Sequence, residues 1–197
     1  MRTDLKLNCK DHPLIIEGLL TTTTDDDEPH VAPMGPLVNV ELTEWTLRPF
    51  CSSTTFKLLR QRPRAVFHVV DDVLPVVRAA LGMSVEVDFE RHATGSWIIA
   101  DCCHWFQLQV FDWDVSSERS VAKARVIDRG VKRPFWGWNR AKHAVLEATI
   151  LATRLHLADR HTIADDLANL EKAVEKTAGE REWTAWRLVK EFIDRSA

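Results

Sequence analysis

Arg48-Pro49-Phe50-Cys51-Ser52-Ser53-Thr54-Thr55-Phe56-Lys57 is the stretch on which the reading of this chain turns. Residues 44–50 have strand character and end on a proline-aromatic pair. Four hydroxyl residues then lead into Phe56-Lys57-Leu58-Leu59-Arg60-Gln61-Arg62, a short helical segment stopped by Pro63. Ser and Thr suit a helix start because their oxygens accept from amides that the first turn leaves unpaired. The order is therefore strand, hydroxyl-rich turn, helix. Open amides and the positive end of the helix dipole attract anions. Ser52, Ser53, Thr54 and Thr55 add hydroxyl donors, and Arg48 and Lys57 add full positive charge. Two readings are open at this point: a phosphate site, or a heavily capped helix start beside a surface arginine and lysine.

On the N-terminal side, the sequence predicts a strand over 14–24 and a second over 30–40. The charged turn Asp25-Asp26-Asp27-Glu28-Pro29 joins them as a solvated hairpin end. Pro33 and Pro36 have no amide proton, so the second strand must be irregular or lie at an edge around Ala32-Pro33-Met34-Gly35-Pro36. Backbone groups there are left for something other than a neighbouring strand. On the C-terminal side, residues 64–70 read as a strand, and Asp71-Asp72 is expected to cap a helix that runs to Leu81 and ends at Gly82. Further strands are predicted at 97–100, 104–113 and 121–128. In Phe106-Gln107-Leu108-Gln109-Val110 the alternation predicts one buried and one wet face. Strands at this spacing, with two short helices, indicate a mainly antiparallel β-barrel or sandwich over the region up to residue 130.

After Gly130 the pattern changes. Lys132-Arg133-Pro134-Phe135-Trp136-Gly137-Trp138 is a bulky connector. Residues 139–157 carry Ala141, Ala144, Val145, Ala148, Leu151, Ala152 and Leu155 on one helical stripe. Thr162 with Asp165 resembles a capping box that opens a second helix to residue 178, and Gly179 ends it. Residues 180–195 form a third helix, with Trp183, Trp186, Val189, Phe192 and Ile193 inward. The division is thus a barrel over 1–130 and a helical C-terminal unit over 131–197, packing on the barrel or on a second subunit. Trp136 and Trp138 are expected to wedge the helices against the barrel; the other use for them is to cover a ring-shaped ligand.

Composition excludes several classes. The 197 residues are 45% hydrophobic and 28% charged, with a net charge of -3 and no basic stripe, so no nucleic-acid partner is expected. The first nine residues are polar, and no apolar run approaches the roughly 20 residues of a membrane span, so a soluble cytoplasmic protein is expected. Cys9, Cys51, Cys102 and Cys103 form no C-x-x-C pair, and the vicinal two point to opposite faces of a strand; reduced thiols are expected. His68 alternates with Val66 and Val70 and reads as a hydrogen-bonded core histidine. His12, His92, His104, His156 and His161 lack ligand spacing, and no metal site is expected. Neither a nucleophile elbow, a Walker A loop nor a dinucleotide fingerprint is present.

The central stretch resembles the FMN-phosphate segment of the DUF447 proteins, a branch of the FMN-binding split-barrel superfamily, whose pattern is roughly R-P-Y-x-G-T-x-T-Y-x-N-L. Glu17-Gly18-Leu19-Leu20-Thr21-Thr22 with His30-Val31-Ala32-Pro33-Met34-Gly35 is similar to the family's first hairpin. Residues 67–80 are similar to its strand and Asp-Asp helix, and 139–148 with Ala152-Thr153-Arg154-Leu155 to its C-terminal helix. The resemblance implies an antiparallel split β-barrel with a helical extension, working as a homodimer with FMN at the subunit interface. It places the FMN phosphate on Arg48, Ser52, Ser53, Thr54, Thr55 and Lys57. The ring lies along Ala32, Pro33, Met34 and Gly35, and Asn139, Arg140 and His143 form a nearby polar patch. The implied function is a flavin-dependent oxidoreductase, with a small molecule or nicotinamide as electron donor. A non-catalytic module for FMN or another phosphorylated ligand is the alternative, and a barrel that has lost flavin is a third; haem and deazaflavin also occupy such barrels. Three departures stand out: Ser52 replaces a glycine, Phe56 a tyrosine and Leu58 an asparagine. Ser52 requires that the turn need no positive φ there.

Overall fold

The computed structural model describes residues 14–157 and 159–196, so the expectations for the first nine residues and for His12 lie outside the described residues. In chain order the elements are β1 (Leu14–Ile15), β2 (Gly18–Thr23), β3 (Pro29–Met34), β4 (Leu37–Val38), β5 (Glu44–Leu47), α1 (Thr54–Gln61), β6 (Arg64–Val69), α2 (Leu74–Ala80), β7 (Phe89–Arg91), β8 (Trp97–Ile99), β9 (His104–Asp114), β10 (Val121–Val131), α3 (Arg140–Ala152), α4 (Arg160–Thr177) and α5 (Glu180–Ser196). Eight strands form one antiparallel sheet in the order β1-β4-β5-β10-β9-β6-β2-β3. Register shifts between Lys123 and Ala124 and between Val126 and Asp128 interrupt the long β9–β10 ladder, and such irregularities increase bend and twist.

The curled sheet encloses Leu20, Trp45, Leu47, Leu59, Phe67 and Leu108, all buried. The Trp45 ring lies 5.0 Å from those of both Phe67 and Phe106. Outside the sheet, Leu19 and Val66 pack with Val76 of α2 and with Ile98 and Ile99 of β8. His68 is fully buried on this side. Its Nδ1 lies 3.2 Å from the Leu19 carbonyl and its Nε2 accepts from the Ile99 amide at 3.1 Å. A carbonyl only accepts and an amide only donates, so the proton sits on Nδ1 and the ring is neutral. The core-histidine expectation holds, and burial pushes the His68 pKa down to about 4.

The strand expected over 14–24 breaks at Ile16 and Glu17, where the Ile16 amide turns to the Pro36 carbonyl (3.2 Å). The one expected over 30–40 breaks at Gly35-Pro36. β3 lies at the sheet edge, as its proline requires. The short strand β7 was not legible. It pairs with β8 into a hairpin, and this corrects the wet face expected for β9. Gln107 is buried, and its Nε2 donates to Thr94 Oγ1 (2.6 Å) and Ser96 Oγ (2.7 Å). The hairpin end over 25–29 is not merely solvated, because Asp27 takes both carboxylate bonds from Arg91 (2.8 and 2.7 Å).

A further core joins Val73, at the N-cap of α2, and Leu74 and Val77 of α2 to Ala141, Val145 and Ala148 of α3, Val174 of α4 and Trp186 and Val189 of α5. The helical unit therefore packs on the barrel through α2. Asp71 and Asp72 do not both cap that helix. Asp72 accepts the Leu74 amide (3.0 Å) and pairs with Arg181. Asp71 is gripped by Arg133 at 2.9 and 2.6 Å and accepts the Trp136 amide at 3.1 Å. The expected capping box at Thr162 is corrected too. α4 begins at Arg160, and the Thr162 amide points back to Asp159 Oδ2 (3.4 Å), so Asp159 supplies the cap. Trp136 and Trp138 do not wedge the helices: they are 84% and 86% exposed, and the Asp71–Arg133 clamp and the alanine-rich stripe close the seam instead.

Candidate functional site

The strand–turn–helix order read from the sequence is observed. Ser53 is the N-cap of α1; its Oγ accepts the Phe56 amide (3.2 Å) and donates to the Phe50 carbonyl (2.7 Å). Thr55 is buried, and its Oγ1 shares a hydrogen bond with His30 Nε2 (3.3 Å) at the start of β3. These two hydroxyls are engaged within the protein. Ser52, Thr54 and Lys57 are exposed, and the amides at the first helical positions have no intrahelical acceptor. Ser52 is not among the residues with positive φ, so serine replaces glycine there without backbone strain.

Arg48 stands at the entry to the turn. Its Nε is buried without a partner, and a buried unpaired donor of this kind costs about 1–3 kcal/mol unless a ligand or water meets it. Its carbonyl accepts from Arg119 Nε (3.0 Å), and the Arg119 guanidinium lies 5.2 Å from the Phe50 ring centroid. The tip of the β9–β10 hairpin is thereby stitched to the turn, with the Cys51 amide donating to the Glu118 carbonyl (2.9 Å) and the Ser120 amide to the Pro49 carbonyl (3.0 Å).

β3 runs from the Thr55 contact at His30 to Met34, and Gly35 follows. Ala32, Pro33 and Met34 thus lie on an open sheet edge. Gly35 packs against Glu17 so closely that a Cβ would come within 2.6 Å of a Glu17 carboxylate oxygen. Glu17 feels Glu147 and Arg154 of the helical unit and Arg119 of the hairpin. Lost hydration, then Glu147, raise its pKa. Lost hydration, followed by the neighbouring Arg48 and Arg154, lowers that of Arg119. The edge strand and the hydroxyl turn therefore meet at a charged cluster of Glu17, Arg48, Arg119, Glu147 and Arg154.

Glu17, Arg119 and Arg154 escaped sequence reasoning as site residues. Arg119 is on a hairpin tip and Arg154 just past a helix end, and no local pattern links either to residue 48. Asn139, by contrast, has its side chain engaged: it caps α3 through the Lys142 amide (3.1 Å) and donates to the Thr177 carbonyl (3.0 Å). It lines a cleft that also reaches Glu17, together with His143. Arg140 is exposed at the first position of α3, away from that lining.

Comparison with known proteins agrees with this architecture. The FMN-bound protein MM1853 from Methanosarcina mazei, assigned to DUF447, superposes with a TM-score of 0.78 at 23% identity, over 92% of this chain and 96% of that one. The styrene monooxygenase flavin reductase from Pseudomonas putida S12 gives 0.51 at 16% identity, over 60% and 80%. An NADH:FAD oxidoreductase of Streptomyces globisporus gives 0.50 at 12% identity, over 58% and 69%. The fold is thus the antiparallel split barrel with a helical extension. No protein of curated function matches the chain. Residues 16–133 match the N-terminal domain and residues 139–191 the remaining part of the family described as "Protein of unknown function (DUF447)", and the chain belongs to that family.

Proposed function

We propose that this chain is an FMN-binding flavoprotein that works as a homodimer and serves as a flavin-dependent oxidoreductase. The observation that carries the reading is the Arg48 guanidinium, with a buried and unpaired Nε, beside the open first turn of α1. A dianionic phosphate is the complement of that pairing. The FMN-bound state of the Methanosarcina relative and the flavin chemistry named for the reductases of the same fold support it.

In this reading Arg48, the Thr54 and Thr55 amides and the Ser52 and Thr54 hydroxyls hold the phosphate. Lys57 adds charge from the first helical turn. Ser53 and Thr55 shape the turn rather than donate their hydroxyls. The open edge at Ala32, Pro33, Met34 and Gly35 offers backbone groups to the ring, and Glu17, its pKa raised by burial, stands at the end of that edge. When bound, FMN supplies the electron transfer; the protein orients it and sets the charge around it. Exposed Phe50 and Trp136 give a second copy apolar surface to cover. Among the described residues Cys51, Cys102 and Cys103 are free thiols, which suit a reducing cytoplasm. Among the described residues no helix is long and apolar enough to cross a membrane.

The purified protein is expected to be yellow, and to bleach with a nicotinamide donor. Colour without turnover favours the binding module. Arg48→Ala is expected to weaken FMN binding about 10–100-fold, the worth of one charge-assisted contact, in a protein that stays folded. Equal FMN affinity in wild type and variant refutes the phosphate assignment.

A further inference from the structure

A cleft of about 390 Å³ lies between the barrel and α3, and Glu17 is part of its lining. Its volume falls within the range of small-ligand pockets, which favour the seams between structural units. Ile16, Val69, Val73 and Val76 form one wall and Leu146 the other. The mouth is aromatic. The Trp138 and His143 rings are stacked with centroids 5.4 Å apart and planes 28° from parallel, and Phe135 meets Trp138 edge-on at 5.9 Å. Trp138 is still 86% exposed, so its second face stands in water.

The charged groups around the cleft differ in what they have left to offer. Asp71 is held by Arg133 and the Trp136 amide. Asp72 is held by Arg181 and the Leu74 amide. Lys142 is held more loosely: its Nζ forms a 3.9 Å ion pair with Glu182 Oε1, too long for a hydrogen bond, and its charge also favours the ionised Asp71. An apolar cleft with an open tryptophan face and an ammonium held by one long ion pair selects for an aromatic ring and negative charge together. We infer that this cleft binds a planar aromatic ligand carrying an anionic oxygen, such as a carboxylate, with the ring against Trp138 and the oxygen on Lys142. Because the cleft reaches Glu17, against which Gly35 packs, such a ligand is placed to be the flavin's second reactant. That role rests on the FMN reading; the binding itself does not.

The test uses the full chain with and without saturating FMN, and titrates 2-naphthoate and its neutral counterpart 2-naphthamide by tryptophan fluorescence and by ligand-observed NMR. The acid is expected to bind about tenfold more tightly than the amide. Lys142→Met should abolish that preference, Lys142→Arg should restore it, and Trp138→Ala should weaken both compounds. Equal affinities for acid and amide, a preference that survives Lys142→Met, or displacement of FMN by 2-naphthoate overturns the inference. If the chain takes up no FMN yet discriminates acid from amide through Lys142, the flavin reading alone falls.

Discussion

Burial of a neutral His68 makes the stability of this protein depend on pH in a window that can be stated in advance. The ring is 0% exposed and bonded through both nitrogens, one to the Leu19 carbonyl and one from the Ile99 amide. Its pKa of about 4, against 6.5 for an ordinary histidine, means that the unfolded chain takes up a proton between those values and the folded chain does not. The stabilisation is complete above the unfolded value and is lost as pH falls from about 6.5 through about 4. At 1.36 kcal/mol per unit, the full shift corresponds to about 3 kcal/mol, of which about 2 kcal/mol disappears between about pH 7 and about pH 5. Urea midpoints should therefore drop by about 1 M over that interval, taking about 2 kcal/mol per M as the denaturant slope. His68→Gln, which keeps an acceptor for the Ile99 amide but does not titrate, should flatten this part of the curve. The same slope in both proteins, or an NMR titration of His68 centred near 6.5, refutes the reasoning.

The Asp71–Arg133 clamp gives a second test. Asp71→Asn should cost about 2–3 kcal/mol near neutral pH by urea unfolding. The Arg133 guanidinium holds the Asp71 carboxyl down to about 2, so the difference between variant and wild type should persist at mild acidity and shrink only as pH falls from about 4 toward about 2. Thr22 Oγ1 is buried inside the barrel without a partner; Thr22→Val should raise stability by about 1 kcal/mol in the same assay, and a loss would reveal a hidden partner for the hydroxyl. A Cβ at Gly18 would lie 2.4 Å from the His68 carbonyl oxygen and 2.7 Å from the Phe67 ring. Gly18→Ala should therefore cost about 1–3 kcal/mol, visible as a lower thermal midpoint.

What was legible in the sequence was local. Hydroxyls before Phe56 marked the start of α1, and Pro33 placed β3 at an edge, because each effect acts within a few residues. The break at Ile16-Glu17 was missed because that run keeps strand-forming composition, whereas the prolines marked the irregularity that falls at Gly35-Pro36; the two breaks meet where the Ile16 amide donates to the Pro36 carbonyl. Gln107 looked like a solvent residue because its period is right for one, and only the hairpin formed with β7, far along the chain, covers it. The same distance hid the site. Arg48 and Thr55 belong to one motif, whereas Glu17, Arg119 and Arg154 come from a strand break, a hairpin tip and a helix end. Trp136 and Trp138 were misplaced for another reason: large rings usually find a core, and these two do not within a single chain.

Helix α2 carries a consequence of its own. It is encoded between two barrel strands, yet Val73, Leu74 and Val77 face the C-terminal helices while Val76 faces the sheet. Removing α3–α5 would strip three aliphatic side chains bare in the middle of what is nominally the other unit. The two halves are therefore expected to unfold together, in a single calorimetric peak, and a barrel cut after residue 131 should be sticky rather than merely shorter.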